Sequence, residues 1–345
     1  MKAVRIHQHG GVEQLRFETS ADPDLNSPTN VLIRLHAAAV NRLDVMIRRE
    51  INREEVRFPH ILGVDGAGTI IEVGSAVKNV NPGDGVCLYP ATGCGQCAFC
   101  GSDREFMCAH LRLLGERENG TYAEYVTVPA RNSFPIPAGL SFEEAAAFPL
   151  VFLTAWRMLV TNAEIRPGES VLILGIGGGV ASAALLIAKF FGARIIVTSS
   201  SDAKLMTARQ LGAEQTINYR DGDFSKAVRS LTGKRGVDVV VDCVGGEGWV
   251  RSLAALAKGG RLVTCGATAG ATPQTELRRI FWNDLQVFGS SSGSRAEFLQ
   301  VLNFFSVSGA KPIIDQVYPL NDAGKAHLRL EEGKQFGKII LRMND

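Results

Sequence analysis

The chain changes rhythm at Arg166-Pro167-Gly168, and the stretch beyond it admits few folds. Apolar stretches at 171–174, 194–198, 216–218, 237–241 and 261–265 alternate with helical patterns that begin near 180 and 203, run over 224–231 and return near 249–257. Strands separated by helices in this way need right-handed crossovers, which lay the strands parallel in a doubly wound sheet covered on both faces. The first 142 residues read differently. Short strand-like runs at 31–35, 68–73, 85–88 and 122–128 are broken by Gly, Pro and Asn, the pattern of an all-β, partly open barrel. Phe336-Gly337-Lys338-Ile339-Ile340-Leu341 is again strand-like and is expected to rejoin the first domain. The predicted division of this α/β chain is a β domain over 1–151, a parallel-sheet domain over 152–292 and a return over 293–345.

Length agrees, since 345 residues exceed one ordinary core. Hydrophobic residues make up 46% and charged ones 21%, which describes a packed protein rather than a disordered one. A net charge of +2 recruits neither nucleic acid nor an anionic membrane. The longest apolar run, 180–191, is short for a bilayer and contains Lys189. The opening Met1-Lys2-Ala3-Val4-Arg5-Ile6 reads as a strand rather than a signal segment, so the cytoplasm is expected. Cys87, Cys243 and Cys265 lie in apolar surroundings and read as small buried hydrophobes.

Cys94, Cys97, Cys100 and Cys108 form the pattern C-x2-C-x2-C-x7-C, flanked by Gly93, Gly95 and Gly101. Thiolates so spaced converge on one tetrahedral ion, and four of them fill its coordination sphere, leaving no position for water or substrate. One structural zinc is expected, in a lobe over about 93–109. An iron–sulfur cluster uses similar spacing, and two disulfides would be the alternative in an oxidising compartment.

Gly175-Ile176-Gly177-Gly178-Gly179-Val180-Ala181 follows a buried strand and opens an apolar helix. Glycines there permit a tight turn and let a pyrophosphate approach backbone amides at the positive end of a helix. Gly175, Gly177, Gly178, Gly179 and Val180 are the expected contacts. Nucleotide choice falls to the end of the next strand, where Thr198-Ser199-Ser200-Ser201 offers no acid to a ribose. Asp202 reads as the N-cap of the following helix. Ser199 and Ser200, with Lys204 one turn on, suit a 2′-phosphate, so NADPH is expected over NADH. Lys204 also reads as an ordinary solvated lysine.

The cysteine lobe, Gly63-Val64-Asp65-Gly66-Ala67-Gly68, Val40-Asn41-Arg42-Leu43-Asp44 with Arg48, Asn81-Pro82-Gly83-Asp84, Gly120-Thr121-Tyr122-Ala123-Glu124-Tyr125 and Phe336-Gly337-Lys338 together resemble the medium-chain dehydrogenase/reductase superfamily over nearly the whole chain. The resemblance implies a GroES-like barrel domain and a Rossmann domain. The spacing of Gly175, Gly178 and Ala181 is nearest the quinone oxidoreductase branch, commonly NADPH-dependent. There a lysine and a tyrosine contact the 2′-phosphate, and they match Lys204 and Tyr219. The resemblance and the sheet topology also imply cofactor contacts at Val244, Gly266, Ser290 and Lys338, and the resemblance implies a homodimer or homotetramer built near Val287.

Zinc alcohol dehydrogenases of this superfamily hold a catalytic zinc with Cys, His and Cys. By resemblance those positions fall on Asn41, Val64 and Leu150, none of which binds zinc usefully. Asp65 stands in place of a family glutamate, and His60, after Pro59, reads as a packing or hydrogen-bonding residue. The chain resembles a member that keeps the structural zinc and lacks the catalytic one.

Zinc lowers the pKa of bound water from 15.7 to about 7, and a comparable effect on an alcohol is worth about 12 kcal/mol. No replacement of that strength is visible in the sequence. An enone or quinone asks less, because hydride adds to carbon while charge moves to a distant oxygen that a few donors stabilise. The expected catalytic set is Asn41, hydrogen-bonding to substrate or ribose, Thr154 against the cofactor, and Asp44. Asp44 also reads as an i,i+4 ion-pair partner of Arg48. Leu43, Val64, Leu150 and Trp282 would wall an apolar pocket, though Val64 and Leu150 read equally as core. The pocket's shape depends on loops such as 50–58. The leading function is NADPH-dependent reduction of quinones or α,β-unsaturated carbonyls. The alternatives are an alcohol dehydrogenase with an atypical metal site near Asp65, and an NADPH-binding sensor or scaffold without turnover.

Overall fold

Two units make up the chain, Met1–Leu150 with Ser294–Asp345, and Val151–Gly293. The computed structural model describes residues 1–25, 27–51 and 56–343; residues 52–55 of the 50–58 loop lie outside them.

The second unit is the doubly wound sheet. Its six parallel strands run in the order Gln215–Asn218, Arg194–Ser199, Ser170–Ile173, Val237–Asp242, Leu256–Thr264, Gln286–Gly289. The strand order reverses beside Ser170–Ile173, which is buried at all four residues and leads into the glycine turn. A ligand crevice forms outside the carboxyl ends of the strands at such a switch point. Helices Gly179–Phe190, Asp202–Leu211, Phe224–Leu231 and Gly248–Ala255 supply the crossovers. Two expectations need correction here. Ser201, not Asp202, is the N-cap, its hydroxyl accepting from Lys204 N at 3.4 Å. The helix expected to reach 257 ends at Ala255, because Leu256 already pairs with Val237 in the sheet.

In the first unit the eleven-residue strand Asn30–Val40 is the organising element. One flank pairs throughout with Asp65–Val73. On the other, its first half pairs with Tyr125–Pro129 and its second with the returning strand Lys338–Arg342, so one strand spans two short partners. Gly85–Leu88, Ser133–Pro135 and Ile314–Pro319 complete a seven-stranded sheet. Alternate side chains of the long strand, Val31, Ile33 and Leu35, enter a core with Ile6, Ile61, Leu62, Ile70 and Leu341. Registers place Asp65 opposite Ala39 and Ile339 opposite Val40. The ends of three strands thereby bring Asn41, Asp65 and Lys338 to one place.

Candidate active site

At that meeting point the Lys338 ammonium donates to Asn41 Oδ1 at 2.5 Å, to Val40 O at 3.1 Å and to Asp65 Oδ2 at 3.1 Å. Its three N–H groups are all engaged. Asn41 Nδ2 donates to Asp65 Oδ2 at 2.8 Å and to Ala39 O at 3.2 Å, so both its hydrogens are engaged too. The second oxygen of Asp65 accepts from Leu150 N at 2.9 Å. Asp65 is wholly buried and Lys338 4% exposed, so this is an interior ion pair with its lone pairs satisfied. A cation already sits against the carboxylate, and the neighbours supply an amide, an amide N–H and, at Val64, a buried aliphatic side chain. That donor set does not fit a catalytic zinc.

Asn41 also caps helix Arg42–Arg48, with its N–H donating to Asp44 Oδ2 at 2.7 Å. Tyr122 Oη donates to the same oxygen at 2.9 Å, and lies 3.0 Å from His327 Nε2. The single phenolic hydrogen goes to the carboxylate, so Nε2 carries the imidazole proton and donates to Tyr122. Nδ1 then remains a bare acceptor, in keeping with its lack of a partner. Burial pushes the Asp44 carboxyl up to about 7 and the His327 imidazole down to about 3, with the charge of Arg48 adding to the latter. The expected Asp44–Arg48 pair does not form. Arg48 reaches Glu331 at 2.9 Å instead, because Asp44 faces its own helix N-terminus and Tyr122. Sequence reasoning missed His327; its signal was its place with Ala323, Ala326 and Leu330 on the buried stripe of helix Ala323–Glu331. His60 is buried and hydrogen-bonds Gly115 O at 3.0 Å, away from this network.

In the second unit Gly175 and Gly177 take φ of +65° and +119°, which only glycine adopts without strain, and Gly178 caps helix Gly179–Phe190. The first-turn amides of that helix have no intrahelical acceptor. Thr198 anchors the turn, its carbonyl accepting from Ile176 N at 2.8 Å and its hydroxyl from Gly175 N at 3.3 Å. A Cβ on Gly175 would meet Val244 at 3.1 Å, and one on Gly266 would meet Cys243 O at 3.1 Å, so both expected contacts border this edge. Ser290 is buried and its hydroxyl has no partner. An open glycine cradle and an orphaned hydroxyl fit a nucleotide cofactor.

Beyond the second strand, Ser199 Oγ accepts from Ser201 N at 3.1 Å, and Tyr219, 43% exposed, donates its N–H to Ser199 O. Ser200 and Lys204 are half-buried beside them. Asp202 accepts from Asn218 Nδ2 at 2.8 Å, which turns that carboxylate toward a neighbour. Thr154 is buried on helix Pro149–Trp156. Leu43 packs on the core of the first unit, and Leu150 is half-buried. Trp282, expected in a pocket wall, is instead 74% exposed, because helix Leu277–Trp282 buries none of its residues.

Cys94, Cys97, Cys100 and Cys108 hold their sulfurs within 4.8 Å of one another, with Cys94 and Cys100 at 4.0 Å. A tetrahedral zinc with bonds of about 2.3 Å separates its sulfurs by about 3.8 Å, so the set fits. Cys94 N and His110 N donate to Cys108 Sγ, and hydrogen bonds from the amides of Gln96 and Cys97 hold the Cys94 thiol down to about 6. Gly93 is obligatory there, since a Cβ would lie 2.6 Å from Cys100 Sγ. Among the described residues this is the one convergent group of three or more His, Cys, Asp or Glu. Cys243 and Cys265, expected as small buried hydrophobes, are instead partly exposed, and their sulfurs lie 3.5 Å apart across neighbouring strands.

Comparison with known proteins agrees with this architecture. The alcohol dehydrogenase GroES-like domain family matches residues 27–138, and the zinc-binding dehydrogenase family matches 179–307. The chain is 33% identical over 350 residues to an NAD-dependent alcohol dehydrogenase of Sulfolobus acidocaldarius, covering 99% of this chain and 100% of that one. It is 27% identical to the human quinone oxidoreductase, covering 99% and 97%. A solved structure of an NAD-dependent alcohol dehydrogenase superposes with a TM-score of 0.96 at 42% identity, with full coverage of both chains. No helix among the described residues is long and apolar enough to cross a membrane. The chain therefore belongs to the zinc-type medium-chain dehydrogenase/reductase superfamily, and it is an NAD(P)-dependent oxidoreductase.

Proposed function

We propose that this protein reduces quinones or α,β-unsaturated carbonyl compounds with NADPH and without a catalytic zinc. The observation that carries the reading is the closed constellation of Lys338, Asp65, Asn41 and the Leu150 amide. By resemblance Asn41 and Leu150 stand at positions that hold the metal in alcohol dehydrogenases of the superfamily, and among the described residues no convergent donors surround them. The same point argues against the alternative of a metal site at Asp65. A bound nicotinamide supplies the hydride. The chain's part is to hold its two reactants and keep the interior charges fixed.

Asn41 in this reading hydrogen-bonds to substrate or ribose. Its amide hydrogens are spent on Asp65 and Ala39, which leaves a spare lone pair on Oδ1 for a ligand and fixes the amide's orientation. Asp44 supports it by holding the Asn41 N–H, and Thr154 borders the cofactor. Lys338 holds Asn41 and Asp65 in place. Gly175, Gly177, Gly178, Gly179 and Val180 receive the pyrophosphate, with Val244, Gly266 and Ser290 beyond. Ser199, Ser200, Lys204 and Tyr219 receive the 2′-phosphate; the absence of a free acid at the strand tip supports NADPH over NADH. The four cysteines hold one structural zinc. The domain division over 1–151, 152–292 and 293–345, a cytoplasmic location where the thiolates stay reduced, and a homodimer or homotetramer complete the reading.

The test is NADPH oxidation on a panel of naphthoquinones, cyclic enones and primary alcohols with their aldehydes. The proposal expects turnover with the first two classes alone. Turnover confined to alcohols and aldehydes would contradict it. Tight NADPH binding without turnover on any acceptor would favour the sensor reading.

A further inference from the structure

Two thiols that the reaction does not use stand beside the proposed nucleotide edge. Cys243 follows strand Val237–Asp242 and Cys265 follows its parallel neighbour Leu256–Thr264, each one residue past the paired positions Asp242 and Thr264. Parallel neighbours run about 4.8 Å apart, which lies inside the Cα separation a disulfide accepts, roughly 4.4–6.8 Å. Their sulfurs are 3.5 Å apart, and neither residue is fully buried, which leaves a path for an oxidant as small as hydrogen peroxide.

We propose that Cys243 and Cys265 form a reversible disulfide that weakens cofactor binding, a redox modification site built into the nucleotide edge. The inference rests on the reading that NADPH binds along this edge. The mechanical link is short. Gly266 follows Cys265 and Val244 follows Cys243, and the two loops are stitched together by Ala269 N to Val244 O at 2.9 Å, Gly246 N to Gly270 O at 2.9 Å and Thr268 Oγ1 to Cys243 O at 3.4 Å. Asp242 Oδ1 accepts from Val244 N and Gly245 N, fixing the first loop's turn. Bond formation draws the sulfurs from 3.5 Å to about 2.0 Å, a displacement that these contacts pass to Val244 and Gly266.

With hydrogen peroxide as oxidant the step balances. A Cys265 thiolate attacks one peroxide oxygen, the O–O bond breaks, and the departing hydroxide takes a proton to become water, leaving a sulfenic acid. Cys243 then attacks that sulfur, the S–O bond breaks, and a second water leaves as the S–S bond forms. Two thiols lose two electrons and two protons, and a dithiol reductant reverses the change. The neighbouring Cys265 sulfur, together with burial, pushes the Cys243 thiol well above its ordinary range, so the first attack is assigned to Cys265, and the Cys243 proton leaves with the sulfenic oxygen as water.

The experiment treats the full, zinc-loaded chain with graded hydrogen peroxide, maps peptides without reduction, and titrates NADPH by fluorescence before and after. Released zinc is read with a chromogenic chelator. The expected result is a Cys243–Cys265 peptide pair two hydrogens lighter than its parts, with NADPH binding weakened on the order of tenfold and restored by dithiothreitol. C243S and C265S should bind NADPH equally before and after peroxide. Three results overturn the proposal: no joined peptide while the zinc cysteines oxidise, a joined peptide with unchanged NADPH binding, or the same loss of binding in C243S. Failure of the untreated protein to bind NADPH at all would instead overturn the cofactor assignment, and is read before any oxidant is added.

Discussion

Each buried charge in the first unit has a partner that defines its worth. Lys338→Met leaves the Asp65 carboxylate with hydrogen bonds and no cation in the interior, a loss of about 3–5 kcal/mol by analogy with other severed buried pairs. Adding Asp65→Asn removes the stranded charge and should return much of that stability; denaturant midpoints of the single and double variants check it. Asp44 and His327 bring a pH dependence with opposite signs. Asp44 keeps a proton that the unfolded chain gives up above its ordinary 3.8, so its contribution is full below that pH and lost as pH rises to about 7. His327 refuses a proton that the unfolded chain takes below 6.5, so its contribution is present above 6.5 and lost as pH falls toward 3. Between 3.8 and 6.5 the two slopes, each about 1.4 kcal/mol per pH unit, cancel. Relative to wild type, Asp44→Asn should therefore gain stability as pH rises through this window, and His327→Gln should gain as it falls. Parallel stability–pH curves for the three proteins would contradict the account.

Among the elements, those that repeat a period were legible and those set by a distant partner were not. Strand Gly85–Leu88 and helix Phe224–Leu231 follow from local pattern, and so does the glycine turn. Val31–Leu35 was readable as a strand, but its continuation to Val40 depends on the Lys338–Arg342 strand, about three hundred residues away. The same distance hid the Lys338–Asp65–Asn41 cluster, since nothing local to Lys338 announces a buried carboxylate. Ser201 displaced Asp202 as N-cap because Asp202 faces Asn218, a contact from the next strand. Cys243 and Cys265 read locally as small buried hydrophobes, and only the strand register sets them side by side. Two predictions belong here. On the proposed 2′-phosphate contact, Lys204→Ala removes a charge-assisted bond worth about 1.5–3 kcal/mol, so the Michaelis constant for NADPH should rise by roughly 10- to 100-fold with that for NADH unchanged. Cys97→Ser should lower zinc from one per chain toward none and reduce the melting temperature, read by metal analysis and calorimetry.

At the scale of the whole molecule, membership of the superfamily sets the fold and the cofactor class, and the interior of the first unit sets what chemistry remains. A metal stabilises an alkoxide by its charge, whereas here Asn41, at a position the resemblance gives to a metal ligand, is satisfied by Lys338 and Asp65. Among the described residues the one convergent cysteine cluster fits a structural zinc, whose coordination sphere four thiolates would fill. The measurement that tests this most directly takes one preparation, purified without added metal, and determines zinc per chain together with NADPH-dependent enone reduction before and after treatment with 1,10-phenanthroline. One zinc per chain is expected, with reduction that persists when the chelator finds no second ion. Two zincs per chain, or activity abolished by the chelator with the cysteine lobe still loaded, would contradict it.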